Sequence, residues 1–155
     1  MIKVDVLINN RNWNKYITNP NIYFKNKLKK AEKTISILKN NKLNFTILLS
    51  GNNEIKKLNK KFREKNKITD VLSFPFHEKK ILQKLIKGKK NNIYLGDIII
   101  NLNKIKKETK NERFRLNFDK IWIHGLVHLL GHKHKSNRDF SIMKKLENKL
   151  LQSIK

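Results

Sequence analysis

The segment IWIHGLVHLLGHKH (121–134) constrains the fold more than any other stretch of this chain. It is apolar at nearly every position up to Leu130, and a helix that is apolar on all faces is a buried helix. His124 and His128 stand four residues apart in it, so their side chains lie on one helix face, about 5–6 Å apart at Cβ. Two buried imidazoles without a partner would each carry a desolvation cost. A shared metal ion would be such a partner.

A third ligand is expected from beyond the end of this helix. Gly131 is the residue type favoured in the left-handed position just past a helix end, and a reversal there would bring His134 back towards the ion. The pattern H-x3-H-x2-G-x2-H has the ligand spacing of the H-E-x-x-H-x-x-G-x-x-H metalloproteases. The predicted ligands are therefore His124, His128 and His134. His132 would continue the i+4 stripe if the helix ran on, and it is the less favoured third ligand.

The alternative to a metal site is a pair of core histidines bonded to backbone carbonyls, with His132 and His134 in solvent. Three suitably spaced histidines and a helix-ending glycine favour the metal site. The chain has no cysteine, so a zinc ion would have to use His, Asp or Glu ligands. Three protein ligands leave the fourth position open, which is the pattern of catalytic zinc rather than structural zinc.

Position 125 indicates the class of chemistry. In metallopeptidases the residue after the first histidine is the glutamate that acts as general base, but here it is Gly125, which cannot transfer a proton. RNA phosphodiester cleavage is less demanding, because the 2′-hydroxyl can serve as nucleophile and the anionic transition state mainly needs positive charge. A metallopeptidase is therefore the less favoured interpretation, and a nuclease the more favoured one.

The charge of the chain points to a polyanionic partner. Lys and Arg number 37 against 12 Asp and Glu, a formal charge of +25, and such a field makes RNA or DNA the default partner. Only five of these residues are arginines, and the excess of Lys, Asn and Ile is what an AT-rich genome imposes, so codon drift accounts for part of the charge. There is no apolar signal segment and no run near the ~18 residues of a membrane span. We therefore expect a cytoplasmic protein without a membrane partner.

The order of apolar patterns predicts a single α+β domain over residues 1–155, with a small mixed four-stranded sheet and five or six helices. Alternating apolar residues predict two strands within the first fifty residues. IYLGDIII (93–100) is almost continuously apolar, which predicts a central strand. TDVLSFPF (69–76) predicts a short strand, and Pro75 favours an edge position because proline cannot donate to a ladder. The connection 77–92 is expected to hold at most a helical turn.

Three segments in one order resemble the YbeY family of bacterial endoribonucleases, the rRNA maturation factors. They are LNKKFREKNKITDVLSFPF (58–76), LGDIII (95–100) and HGLVHLLGHKH (124–134). The resemblance implies a zinc-dependent, single-strand-specific endoribonuclease with one Zn²⁺ per chain, acting in 16S rRNA 3′-end maturation and ribosome quality control. It implies rRNA and the small ribosomal subunit as partners, and no DNA.

Carried over by position, the resemblance makes the three predicted histidines the zinc ligands and matches Arg63 to the functional arginine of the family. A guanidinium near the metal can hold a phosphate bidentately and stabilise its developing charge. Without the resemblance, a solvated residue at a helix end would be the favoured interpretation of Arg63. A ribosome-binding assembly factor with a structural metal stays open, because the basic segment 77–92 suits it equally well.

Two further residues are candidates for supporting roles. Asp97 is a carboxylate in an apolar strand, and it either orients a ligand histidine or accepts backbone N–H groups in a bulge at Gly96. The family commonly has Tyr-Asp before the third histidine, whereas this chain has His132 and Lys133. That departure leaves His132 as a substitute acid or base near the site.

Overall fold

A four-stranded mixed sheet organises the chain in the computed structural model, which describes residues 1–108 and 113–155. The strands lie side by side in the order β1-β2-β4-β3. The first three in this order are parallel, and the last pair is antiparallel. The strands are β1 (Ile2–Ile8), β2 (Leu43–Ser50), β3 (Val71–Pro75) and β4 (Ile93–Asn101).

Helices connect and cover these strands, and the α+β class is confirmed. Within the described ranges there are seven α-helices and one short 3₁₀ helix (Arg11–Lys15), slightly more than the five or six expected. None of the described helices is both long enough and apolar enough to cross a membrane. The α-helices are α1 (Pro20–Thr34), α2 (Ser36–Asn40), α3 (Asn52–Arg63), α4 (Lys79–Lys87), α5 (Leu102–Glu108), α6 (Phe114–Leu129) and α7 (Asn137–Ser153).

Helix α4 accounts for part of the difference in helix number. The segment around it was expected to hold at most a helical turn, but Leu82 is buried in the main core and Leu85 and Ile86 pack against that core. Three apolar residues on one face, with lysines elsewhere, are enough to hold nine residues in a helix. The many lysines in this segment made the amphipathic pattern difficult to recognise from the sequence, so the helix was not predicted.

The predicted positions of β4 and β3 in the sheet are confirmed. Strand β4 lies between β2 and β3, and it contributes buried residues to both faces of the sheet. Gly96 has φ +128°, and a Cβ there would lie 2.1 Å from the carbonyl oxygen of Phe74, so only glycine fits this irregular position. Strand β3 is an edge strand, and its last residue, Pro75, pairs opposite Gly96.

An aromatic and polar cluster fixes helix α6 against α1. The ring of Phe118 lies 5.2 Å from that of Trp13 and 5.6 Å from that of Phe24. The buried carboxylate of Asp119 accepts hydrogen bonds from the Tyr23 hydroxyl at 2.7 Å, Lys27 Nζ at 2.9 Å and Trp122 Nε1 at 2.9 Å. Because every bond is charge-assisted, the cluster holds α6 firmly in place.

The other side of α6 lies directly on the sheet at Gly125. A Cβ at this position would be 2.8 Å from Ile98 Cγ2 and 3.1 Å from Ser73 Oγ. Only a residue without a side chain allows the helix backbone to come so close to β3 and β4. This contact places His124 and His128 beside β3, so that Ser73 and both histidines line one cleft.

Candidate metal centre

Helix α6 ends in a left-handed glycine, as the sequence predicted. Gly131 has φ +89°. Its N–H donates to the carbonyl of His128 at 2.9 Å, and the His132 N–H donates to the carbonyl of Val127 at 3.3 Å. These two bonds form a Schellman motif, which reverses the chain direction after the helix. The reversal returns the segment that carries His134 to the face of α6 that holds the histidine pair.

The structure brings His124, His128 and His134 together. One potential ligand atom from each lies within 4.8 Å of those of the other two. The ring centroids are 4.6 Å apart for His124 and His128, 5.2 Å for His128 and His134, and 6.0 Å for His124 and His134. His124 and His128 are half-buried, whereas His134 is exposed. The cluster is therefore embedded on its helix side and accessible on the other.

Hydrogen bonds determine which nitrogens of the helical pair are free. Nδ1 of His128 lies 2.8 Å from the carbonyl oxygen of His132, which can only accept, so this nitrogen carries the proton. Nδ1 of His124 lies 2.7 Å from Oε1 of Glu147, which favours the same tautomer. In both rings the unprotonated nitrogen is therefore Nε2.

These two Nε2 atoms fit a metal ion. They lie 3.1 Å apart, close to the ~3.3 Å between two nitrogens bound to tetrahedral zinc at about 2.0–2.1 Å. Two lone pairs directed at one point repel each other unless a cation lies between them. An all-imidazole donor set suits zinc among several divalent metals. By both geometry and donor chemistry, the cluster could hold a metal ion.

Glu147 is the supporting residue that sequence reasoning missed. Its side chain projects from α7, is 9% exposed, and bonds His124 while Lys144 Nζ lies 3.5 Å from its other oxygen. A signal was present in the sequence, because Glu147 lies on the apolar stripe of α7 between Met143 and Leu150. A carboxylate on a buried stripe needs a partner, and that partner is His124.

Burial also favours the neutral, metal-binding form of the His128 ring. Desolvation is the largest cause that lowers the pKa of His128, and the neighbouring His124 and His134 lower it further. Burial, followed by the positive charge of Lys79, lowers the pKa of His132. A lowered pKa keeps an imidazole neutral near pH 7, and a neutral imidazole is the form that binds metal.

Asp97 has neither of the roles predicted for it within the described part of the chain. Its Oδ1 accepts the Tyr94 hydroxyl at 2.6 Å, and the same hydroxyl lies 2.9 Å from Thr46 Oγ1. Burial and the bond to Asp97 raise the pKa of Tyr94, which keeps it a donor. Asp97 therefore belongs to a polar cluster on the sheet, and the carboxylate that orients His124 is Glu147.

The remaining predicted residues lie around one cleft. It has a volume of about 1110 Å³ and is lined by the three histidines, by Arg63 at the end of α3, and by the half-buried His132. His132 contributes its backbone carbonyl to the site by holding His128. The cleft is also lined by five lysine and arginine side chains against three carboxylates, namely Arg63, Lys79, Lys80, Lys133 and Lys135 against Asp70, Glu78 and Asp139.

The structure also explains the missing glutamate at position 125. A side chain there would point into the sheet, where Ile98 and Ser73 occupy the space. The general-base position of the metallopeptidase motif is thus closed by packing, and Gly125 cannot be replaced by glutamate without moving the helix. The site has the ligand spacing of a metallopeptidase but no room for its base.

Fold and site together define an α+β protein with a candidate three-histidine metal centre that opens into a basic cleft. The comparisons with known proteins specify this class. The family model described as Endoribonuclease YbeY matches residues 7–155, and the chain belongs to that family.

Similar proteins carry the same description. The chain is 46% identical over 158 residues to an Endoribonuclease YbeY from Pelagibacter ubique, covering 100% of this chain and 97% of the relative. It is 39% identical over 138 residues to one from Buchnera aphidicola, covering 86% and 79% of the two chains. The solution structure of TM1509 from Thermotoga maritima aligns with a TM-score of 0.51 over 98% of this chain and 90% of that one. At 22% identity, this last match shows a shared fold.

Proposed function

We propose that this protein is a zinc-dependent endoribonuclease that cleaves single-stranded RNA. One observation carries the proposal: the free nitrogens of His124 and His128 converge, next to His134, at the wall of a basic cleft. Membership of a family described as Endoribonuclease YbeY supports the choice of RNA as substrate. So does the formal charge of +25, which favours a polyanionic substrate.

In this proposal the three histidines hold one zinc ion per chain. When bound, the ion supplies Lewis-acid chemistry, polarising a phosphoryl oxygen and lowering the pKa of a coordinated water to about 7. The protein keeps the donors in position before the ion binds. Glu147 fixes the ring of His124, and the carbonyl of His132 fixes the ring of His128.

Arg63 is proposed to bind the phosphate to be cleaved. It is the last residue of α3, its side chain is exposed, and it lines the same cleft as the histidines. A guanidinium offers two parallel N–H donors to a phosphate and stabilises negative charge that develops in the transition state.

The biological substrate we propose is the 3′ end of 16S rRNA, with the small ribosomal subunit as partner and ribosome quality control as a further role. The site of action would be the cytoplasm, where ribosomes are. This part of the proposal follows from the family resemblance and from the basic surface of the chain.

The ligand assignment is tested by His124→Ala and His128→Ala. Each variant is expected to bind less zinc, measured by elemental analysis, and to lose cleavage of a labelled single-stranded RNA. His77→Ala is the control for zinc content alone, because His77 lines the cleft without belonging to the cluster. Full cleavage by metal-free protein would reject the mechanism.

The role of Arg63 is tested by Arg63→Ala, with Arg11→Ala, at an exposed position of the 3₁₀ helix, as control. We expect Arg63→Ala to retain zinc and to lose about 100-fold or more in kcat, as for removal of one donor to a developing negative charge. Unchanged cleavage would mean that Arg63 is a solvated residue at a helix end with no part in the reaction.

Two outcomes would favour other functions. Tight RNA binding without turnover, in a preparation free of contaminating nuclease, would support the assembly factor with a structural metal. Cleavage of a peptide library with no cleavage of RNA would support a metallopeptidase despite the closed position at Gly125.

A further inference from the structure

We infer that Phe62 and Phe76 are base-stacking residues that hold single-stranded RNA along the cleft. This inference rests on the proposed function and identifies the side chains that would contact nucleobases. It is carried by the exposure of the two rings, by their positions on the cleft and by the charges around them.

Both rings are unusually exposed for phenylalanine. Phe62 is 59% and Phe76 is 67% exposed, although phenylalanine is among the residues most often buried. Both line the cleft that contains the histidines. A large apolar side chain in contact with water at a functional cleft indicates a surface that a ligand covers.

Neighbouring rings support the two exposed ones. Phe62 packs on Phe74 with ring centroids 5.5 Å apart, and Phe76 packs on Tyr94 at 5.5 Å and on His77 at 4.9 Å. Such edge-to-face contacts hold aromatic rings in a defined orientation. More than half of each side chain nevertheless remains accessible, so the support leaves room for a stacked base.

The cleft extends across the edge strand β3 from one face of the sheet to the other. Leu72 and Phe74 pack with Ile55 on the face that α3 covers, whereas Ser73 points to α6, close to Gly125. Phe62 is therefore on the α3 side and the histidines are on the α6 side. A ligand that reached both would cross the exposed edge of β3, which requires an extended chain of several units.

The charges on the cleft match a phosphate backbone. Its five lysine and arginine side chains outnumber its three carboxylates. One of the carboxylates, Asp70, already accepts hydrogen bonds from Thr69 Oγ1 and the Val71 N–H. Lys61 Nζ lies 5.2 Å from the centroid of the Phe62 ring, so a cation accompanies the aromatic face. A basic groove that carries exposed aromatic rings is the pattern that binds single-stranded nucleic acid, since bases stack on the rings while phosphates pair with the cations.

The test measures binding separately from cleavage. Fluorescence anisotropy gives the affinity of the zinc-loaded protein for three labelled probes: a 2′-O-methyl RNA single strand, the same strand paired into a duplex, and an abasic strand of equal length and charge. A gel of each sample verifies that the probes stay intact. The variants are Phe62→Ala and Phe76→Ala, and the control is Phe140→Ala, which is 58% exposed on α7 and does not line the cleft.

We expect the single strand to bind more tightly than either the duplex or the abasic strand. Phe62→Ala and Phe76→Ala should each weaken single-strand binding about 5- to 150-fold, the range for loss of one base–aromatic stack. Their affinity for the abasic strand should not change, and Phe140→Ala should match the wild type for every probe.

Equal binding of base-bearing and abasic strands, or unchanged affinity in both Phe62→Ala and Phe76→Ala, would overturn the inference. The exposed rings would then be contacts for a protein partner instead of RNA bases. Failure of this inference can be distinguished from failure of the proposed function. RNA cleavage that persists with unchanged binding in both variants rejects only the stacking role, whereas base-dependent binding without turnover rejects only the nuclease activity.

Discussion

At the scale of single residues, the two helical histidines are oriented by different kinds of partner. His128 donates to a backbone carbonyl, which no substitution removes, whereas His124 depends on one side chain, Glu147. A carboxylate bonded to the far nitrogen of a ligand imidazole fixes its tautomer and raises its basicity. In the proposed zinc site, Glu147 is therefore the residue at which metal affinity can be changed most directly without replacing one of the three histidines.

The variant Glu147→Gln tests this role of the carboxylate. It keeps the side-chain shape and an oxygen acceptor but removes the negative charge. We expect zinc affinity to fall about 10- to 100-fold, the usual effect of altering such a partner. Competition with a chromophoric chelator measures the dissociation constant. Glu54→Gln, in the first turn of α3, removes the same charge from a residue that does not line the cleft and should leave the constant unchanged. An unaltered affinity in Glu147→Gln would show that His124 needs no carboxylate.

The residues of the site differ in how well the sequence predicts them. The i,i+4 histidines and the glycine after them are local signals, so their positions follow from helix geometry. Glu147 lies 23 residues from His124, and its contact exists only because α7 docks on α6. Asp97 had a plausible local signal, but the sheet supplies it with Tyr94 as a partner instead.

At the scale of elements, helix α6 depends on two glycines for different reasons. Gly125 allows close approach to the sheet, and Gly131 allows the reversal that returns His134. The first is a packing requirement and the second a requirement on backbone dihedral angles. The sequence signalled the second, because glycine at a helix end is a known pattern. It did not reveal the first, because the depth of helix–sheet packing is set by residues distant in sequence, such as Ile98.

Gly131→Ala tests the reversal. An alanine at φ +89° adopts a left-handed conformation at a cost of about 1–2 kcal/mol, and its Cβ would lie 3.1 Å from Lys79 Cβ. We expect the free energy of unfolding in urea to fall by at least about this amount, and zinc affinity to fall as well because His134 is displaced. Gly88→Ala, at the end of α4 with φ −73°, is the matched control. Wild-type zinc affinity in Gly131→Ala would mean that the third histidine reaches the ion without the turn.

At the scale of the whole molecule, the question is how much of the charge serves a function. The formal charge of +25 raises non-specific attraction to any polyanion, and codon drift would produce such attraction without a site. The cleft concentrates five of these cations beside the histidines. At 0.1 M ionic strength the Debye length is about 10 Å, so distant exposed lysines contribute little to the field inside the cleft. Location, rather than total charge, should therefore decide RNA affinity.

Two double variants with the same charge change separate these contributions. Lys80→Gln with Lys135→Gln removes two exposed cations from the cleft, and Lys25→Gln with Lys29→Gln removes two exposed cations from α1. We expect the cleft variant to bind single-stranded RNA more weakly. Its plot of log K against log salt should be shallower by about 0.7 for each phosphate that the protein no longer neutralises.

The α1 variant should keep the wild-type slope and nearly the wild-type affinity, because its lysines lie on a helix that does not line the cleft. Filter binding or anisotropy at salt concentrations from about 50 to 200 mM covers the range in which such ionic interactions are resolved. Equal weakening in the two double variants would mean that RNA responds to total charge, and the basic cleft would then have no special part in binding. Weakening confined to the cleft variant would separate the functional cations from those that composition alone supplies.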